Sequence, residues 1–260
     1  MPYNIIIENV DIDGFGISVG DEIAAFDDTT CVGVAHISSE GNVLRLDGSG
    51  DYVNTGGWSA GSKWTIEAWV NPSSTPSGRK TIAGGYSGCV DWGITMNNGE
   101  LALSIRQPGG CSQTIGSGIF ATPGTWYHIV GTNNGTTAKV YVDGQLRNSG
   151  NVDPNYNGTS SGMRIGGEVC CGSNNFPGDI DEVRVWNYAR VQNEIQNDME
   201  RILEGNESGL IGYWNFDDGT ANDLSSANRN GSLAGPAPFV PGGVISEALQ
   251  LLAWQEDTSQ

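Results

Sequence analysis

Leu44-Arg-Leu-Asp-Gly-Ser-Gly-Asp-Tyr-Val53, Trp64-Thr-Ile-Glu-Ala-Trp-Val-Asn-Pro72 and Gly178-Asp-Ile-Asp-Glu-Val-Arg-Val-Trp-Asn187 decide the fold. Within the second, apolar and polar residues alternate over Thr65-Ile-Glu-Ala-Trp-Val70, the period of a strand with one face turned to a core. Trp126-Tyr-His-Ile-Val130 and Ala138-Lys-Val-Tyr-Val142 repeat the pattern. Asp143-Gly144 then supplies the dipeptide favoured in two-residue hairpin turns. Trp69 and Trp126 are expected in the core, and Trp186 is expected to be buried at its strand end.

Composition agrees with an all-β chain. Of 260 residues, 39 are Gly and only 16% are charged, so turns are frequent and long charged helices are not expected. One helix is predicted over 189–203, where Val191, Ile195, Met199 and Ile202 form an apolar stripe and Gly205 follows as a stop. The net charge of -18 argues against nucleic acid or an anionic membrane as partner and favours bound cations or simple solubility. No apolar run approaches the roughly 18 residues of a membrane span, so no membrane insertion is expected. Met1-Pro2-Tyr3 runs straight into a strand-like segment, as a mature fragment would.

The three opening runs, with Gly209-Leu-Ile-Gly-Tyr-Trp-Asn-Phe-Asp217 and Asp223-Leu-Ser-Ser-Ala-Asn-Arg-Asn-Gly-Ser-Leu233, resemble the laminin-G-like, concanavalin A-like jelly-roll family. The resemblance covers about three quarters of the chain and implies an antiparallel β-sandwich. The expected organisation is an N-terminal β segment at 1–40, a jelly roll at 41–240 and an apolar tail at 241–260. The N-terminal strands are expected at 4–10, 21–26 and 31–37. That segment is too small to bury its own core and is expected to pack on the main domain, on the tail or on another chain.

The resemblance also implies one structural calcium, held between Asp47-Gly-Ser-Gly-Asp51 and Asp179-Ile-Asp181, with Asp47, Asp179 and Asp181 as ligands. Oxygen-rich, Gly-flanked acidic loops suit that ion; the alternative is that Asp47 and Asp51 only cap turns. Asp11-Ile-Asp-Gly14 opens like a calcium loop but lacks the distal Glu. Glycan binding calls for exposed aromatic rings on loops, and Trp58, Tyr86, Trp92, Tyr156 and Phe176 are the candidates, against the alternative that they anchor their loops. Gly166–Asn175 resembles the family's variable loop. Cys89 and Cys111 bracket a hairpin around Asn97-Asn98-Gly99 and are expected to pair; Cys31, Cys170 and Cys171 are left unassigned.

No catalytic residue is expected. Asp179-Ile-Asp-Glu182 lacks the third carboxylate of a glucanase strand, because Val183 stands there. His36 and His128 are the two histidines, and His128 is expected to be structural. Asn134, Asn157, Asn206 and Asn230 head glycosylation sequons. The leading expectation is a non-catalytic extracellular or cell-surface module for a glycan or cell-surface protein. The alternative is a subunit of an extracellular filament that joins copies of itself through strand pairing at its terminal segments. A glycoside-cleaving enzyme comes third.

Overall fold

The computed structural model describes residues 11–12, 15–16, 22–27, 30–36, 41–86, 90–106, 112–152, 162–168 and 174–243. The chain divides into two compact units, Met1–Glu40 with Ser246–Gln260, and Gly41–Ile245. In the first, β1 (Asp11–Ile12) pairs with β2 (Phe15–Gly16), and β3 (Glu22–Asp27) pairs with β4 (Thr30–His36). These last two are the strands expected at 21–26 and 31–37; the one expected at 4–10 lies outside the described residues.

The second unit is a sandwich of two sheets. One contains β6 (Tyr52–Asn54), β8 (Arg79–Tyr86), β9 (Val90–Asn97), β10 (Glu100–Arg106), β11 (Ser112–Phe120), β15 (Gly162–Ile165) and β18 (Ser232–Ala234), in the order β11-β10-β9-β8-β15-β6-β18. The other contains β5 (Asn42–Asp47), β7 (Trp64–Pro72), β12 (Tyr127–Asn133), β13 (Thr137–Val142), β14 (Gln145–Asn151), β16 (Pro177–Trp186) and β19 (Phe239–Pro241), in the order β14-β13-β12-β7-β16-β5-β19. A further strand, β17 (Leu210–Trp214), pairs with β16. The expected turns form: Asn98-Gly99 joins β9 to β10 and Asp143-Gly144 joins β13 to β14, with positive φ at all four residues. That geometry matches the right-handed twist of the strands they connect.

Alternation assigns the two faces. Along β7, Trp64, Ile66, Ala68 and Val70 enter the core between the sheets. Ile180, Val183 and Val185 of β16 join them, with Trp92, Trp214 and Phe176 from elsewhere. Trp69 and Trp126 are therefore not core residues; both are only partly buried. Among the described residues, the tryptophans of the core between the sheets are Trp64, Trp92 and Trp214, each 0% exposed.

Trp69 sits on the outer face of β7, where the helix α1 (Gln192–Asp198) covers the sheet. This helix is shorter than the 189–203 expected from periodicity. Carbonyls that a longer helix would use internally are claimed by side chains. Trp69 Nε1 donates to the Met199 carbonyl at 2.8 Å, and Arg184 donates to those of Asp198 at 2.8 Å and Arg201 at 2.6 Å. Of the apolar stripe only Ile195 is buried within the helix, packed on Val130 and Tyr141; Val191 is 60% exposed.

Candidate functional site

Asp47 ends β5 opposite Pro177, the first residue of β16, and Pro72 ends β7 opposite Gly178. Three strand ends thus meet, and a cleft of about 530 Å³ opens there. Backbone bonds hold its walls: Ser73 N–H to the Pro177 carbonyl at 3.1 Å, Gly124 N–H to Pro72 at 2.9 Å, and Arg45 N–H to Pro238 at 3.1 Å. Its polar lining is Arg45, Asp47, Asp51, Asn71, Ser73 and Asp179.

The acidic loop is built by local geometry. Ser49 N–H donates to Asp47 Oδ1 at 2.6 Å, and Gly48 and Gly50 both adopt φ +84°, folding Asp51 back toward Asp47. Asp51 is 2% exposed, and its Oδ1 is buried without a hydrogen-bond partner. Burial, and then the charge of Asp47, raise its pKa from its ordinary value. Gly235 lies against the same oxygen: a Cβ there would stand 2.0 Å from Asp51 Oδ1.

The expected calcium ligands separate into two groups. Asp47 and Asp179 line the same cleft. Asp179, however, is held by Arg45 in a two-pronged ion pair, Nε to Oδ1 at 2.8 Å and Nη2 to Oδ2 at 2.9 Å. Asp181 is 1% exposed and accepts from Glu182 N–H at 2.8 Å. Among the described residues no group of three or more His, Cys, Asp or Glu forms a metal cluster. What does fit a hard cation is the pair Asp47 and Asp51, with one oxygen already dehydrated and unpartnered. The signal in the sequence was the second acid of Asp-Gly-Ser-Gly-Asp; its burial depends on Gly235, 184 residues downstream.

The expected ligand aromatics need correction. Trp92 and Phe176 are 0% exposed, so no sugar can reach their rings. Trp92 packs on Trp64 at 5.4 Å between ring centroids, and Phe176 is pulled inward by its N–H bond to the Gly166 carbonyl at 2.9 Å. Trp58 is partly buried, edge-on to Trp92, with the Arg229 guanidinium 4.4 Å over its ring. Tyr86 is the last residue of β8, paired with Val90 and Gly162, rather than a loop residue. Tyr156, Cys89, Cys111, Cys170 and Cys171 lie outside the described residues.

A second charged cluster lies between the outer sheet face and α1. Glu67, 0% exposed, accepts from Trp186 Nε1 at 2.7 Å and Arg190 Nη1 at 3.0 Å, and His128 Nε2 stands 3.4 Å away. Burial alone would raise its pKa, but His128, Arg190 and Arg184 outweigh that and hold it at about 2. Glu182 pairs with Arg184 and accepts a bifurcated hydrogen bond from the Tyr213 hydroxyl, 3.1 and 3.0 Å from its two oxygens. Burial and the Glu182 charge push the Tyr213 phenol up, so it stays protonated and donates. These acids are spent on internal partners, and His128, expected to be structural, is buried beside Glu67, a residue that the sequence analysis did not single out.

Comparison with known proteins places this architecture. The family model for the concanavalin A-like lectin/glucanases superfamily, laminin-G type, matches residues 47–196. A candidate carbohydrate binding protein from Bacteroides ovatus superposes with TM-score 0.63 at 20% identity, over 82% of this chain and 63% of that one. A heptameric SAP-like pentraxin from Limulus polyphemus superposes with TM-score 0.52 at 16% identity, over 60% of this chain and 81% of that one. Mouse pappalysin-1 is 28% identical over 127 residues, 43% of this chain and 8% of that protein. The chain thus spans less than two thirds of the length of two of these three relatives. With more than half its residues matched by the family model and its strands laid out as a two-sheet sandwich, the chain belongs to the concanavalin A-like lectin/glucanase superfamily.

Proposed function

We propose that the chain is a non-catalytic, extracellular module that binds carbohydrate at the cleft between the ends of β5, β7 and β16, with a calcium ion held by Asp47 and Asp51. The observation that carries this reading is the buried, unpartnered Asp51 Oδ1 lining that cleft. A dehydrated carboxylate beside a second acid is costly unless a cation joins it. Calcium accepts such oxygens together with backbone carbonyls and water. When bound, it would supply a fixed positive charge in the cleft. Arg45, Asn71 and Ser73 would then offer the directional bonds that a hydroxyl-rich ligand needs, over the apolar walls of Pro236 and Pro238.

Support for a non-catalytic role comes from the commitment of the acids. Asp179 is neutralised by Arg45, and Glu182 and Glu67 are locked in interior pairs. Two opposed carboxylates flanking one bond, the requirement of glycoside cleavage, would have to come from elsewhere. The resemblance to the candidate carbohydrate binding protein of Bacteroides ovatus also supports a glycan. A glycan array probed in calcium tests the reading: a discrete set of bound glycans is expected, and a blank array would remove it.

A further inference from the structure

We infer that the outer face of β12 and β13, beside α1, holds a second saccharide site, shaped for one sugar ring carrying a carboxylate. The inference rests on the carbohydrate reading above but on different residues. Thr132 pairs with Thr65, whereas the first cleft begins at Asn71 and Pro72 of the same β7 strand. At roughly 3.3 Å per residue the two sites lie about 20 Å apart along the sheet.

The cavity has a volume of about 220 Å³. That is below the roughly 300–1,000 Å³ of pockets for drug-sized ligands and suits a single ring. Its floor follows from strand register. Thr132 stands opposite Lys139, Val130 opposite Tyr141, and Tyr141 opposite Leu146, so the Thr132, Lys139, Tyr141 and Leu146 side chains share one face. Its wall is fixed by Thr65, whose hydroxyl donates to the Tyr188 carbonyl and accepts from Arg190 N–H, both at 2.8 Å. Val191 is thereby held over the sheet.

Five of the lining side chains suit a sugar acid. Among the described residues, Leu146 and Val191 are two of the few large apolar side chains left exposed, at 45% and 60%, and they face the same cavity. The C–H face of a sugar would cover both. Thr132 and Thr137 supply hydroxyls. Arg190 is turned away, bound to Glu67 and Asp198. Lys139 has no ion-pair partner among the described residues, in a chain of net charge -18. An ammonium left without an acid in so acidic a protein is the group that a ligand carboxylate would meet, and a charge-assisted bond there separates a uronate from a neutral hexose.

The test is an NMR titration of the isotope-labelled full chain, in chelator, with D-glucuronate, D-glucose and acetate. Glucuronate is expected to saturate shifts at the Thr132, Thr137, Lys139 and Tyr141 amides. Glucose should bind about tenfold more weakly, and acetate should give no saturable shift there. Lys139→Gln should reduce glucuronate to the level of glucose while the rest of the spectrum is retained. Equal binding of glucuronate and glucose, unchanged binding in Lys139→Gln, shifts reproduced by acetate, or no saturable shift with glucuronate would each overturn the proposal. Because calcium is absent throughout, failure here is distinct from failure of the calcium-linked cleft.

Discussion

Arg45 and Asp179 face each other across β5 and β16 and share two parallel hydrogen bonds, at 2.8 and 2.9 Å. The pair removes Asp179 from the acids open to a cation and leaves Asp47 with Asp51. Asp179→Asn should therefore keep any calcium-induced rise in melting temperature. Since Arg45 is about half exposed, the substitution should cost no more than about 1 kcal/mol of stability in denaturant titration. Loss of the calcium response in Asp179→Asn would return that residue to the ligand set.

Asp51→Asn isolates the proposed ligand. Without calcium, ionised Asp51 is a buried charge beside a second one, so the substitution should raise the melting temperature by a few degrees. The advantage should depend on pH. A carboxyl whose folded pKa is raised destabilises the fold only as pH climbs past its unfolded value, so wild type and variant should converge in acid. With calcium the order should reverse, because only wild type gains from an ion bound to the folded state. Melting curves at pH 4 and pH 7, with chelator and with calcium, check all three.

Gly235→Ala should damage the same site from across the fold. The new methyl would meet Asp51 Oδ1, at a backbone φ of +81° that an L-residue adopts at a cost of about 1–2 kcal/mol. Reduced stability is expected, together with a weakened calcium response. A variant as stable and as responsive as wild type would show that Asp51 is not packed in this way.

Glu67→Gln tests the interior cluster. Glu67 is held at a pKa of about 2 against an ordinary value of 4.5. Its contribution is thus present above pH 4.5 and lost as pH falls toward 2. Replacing it leaves the buried Arg190 with Asp198 as its remaining acid, and a loss of up to about 3 kcal/mol is expected at pH 7, shrinking below pH 4. Urea titrations across that range measure it.

A chain of residues 41–243 should fold alone as a monomer, since Gly41–Ile245 forms a compact unit with its own core. If the terminal segments join copies, the full chain should assemble where this fragment does not. Size exclusion with light scattering reads both.

The strands and the two hairpin turns were legible because alternation and the Asp-Gly and Asn-Gly dipeptides are local signals. The phase of the tryptophans was not. Both faces of β7 are covered, one by the other sheet and one by α1, so Trp64 and Trp69 look alike in sequence although only Trp64 enters the core. Phe176 and Trp92 read as loop aromatics because their neighbours are polar, yet both fill the interior. The candidate site was half legible. Asp47 and Asp179 do line one cleft, but the Arg45 grip on Asp179 and the Gly235 contact with Asp51 join residues more than 130 positions apart.

The most direct test of the central claim is a glycan array probed in calcium with wild type and with Asp51→Asn, and with wild type in chelator. Wild type should bind a discrete set of glycans in calcium and lose them in chelator, and Asp51→Asn should bind none of that set in either condition. Equal binding by Asp51→Asn and wild type, indifferent to chelator, would contradict the assignment of the cleft.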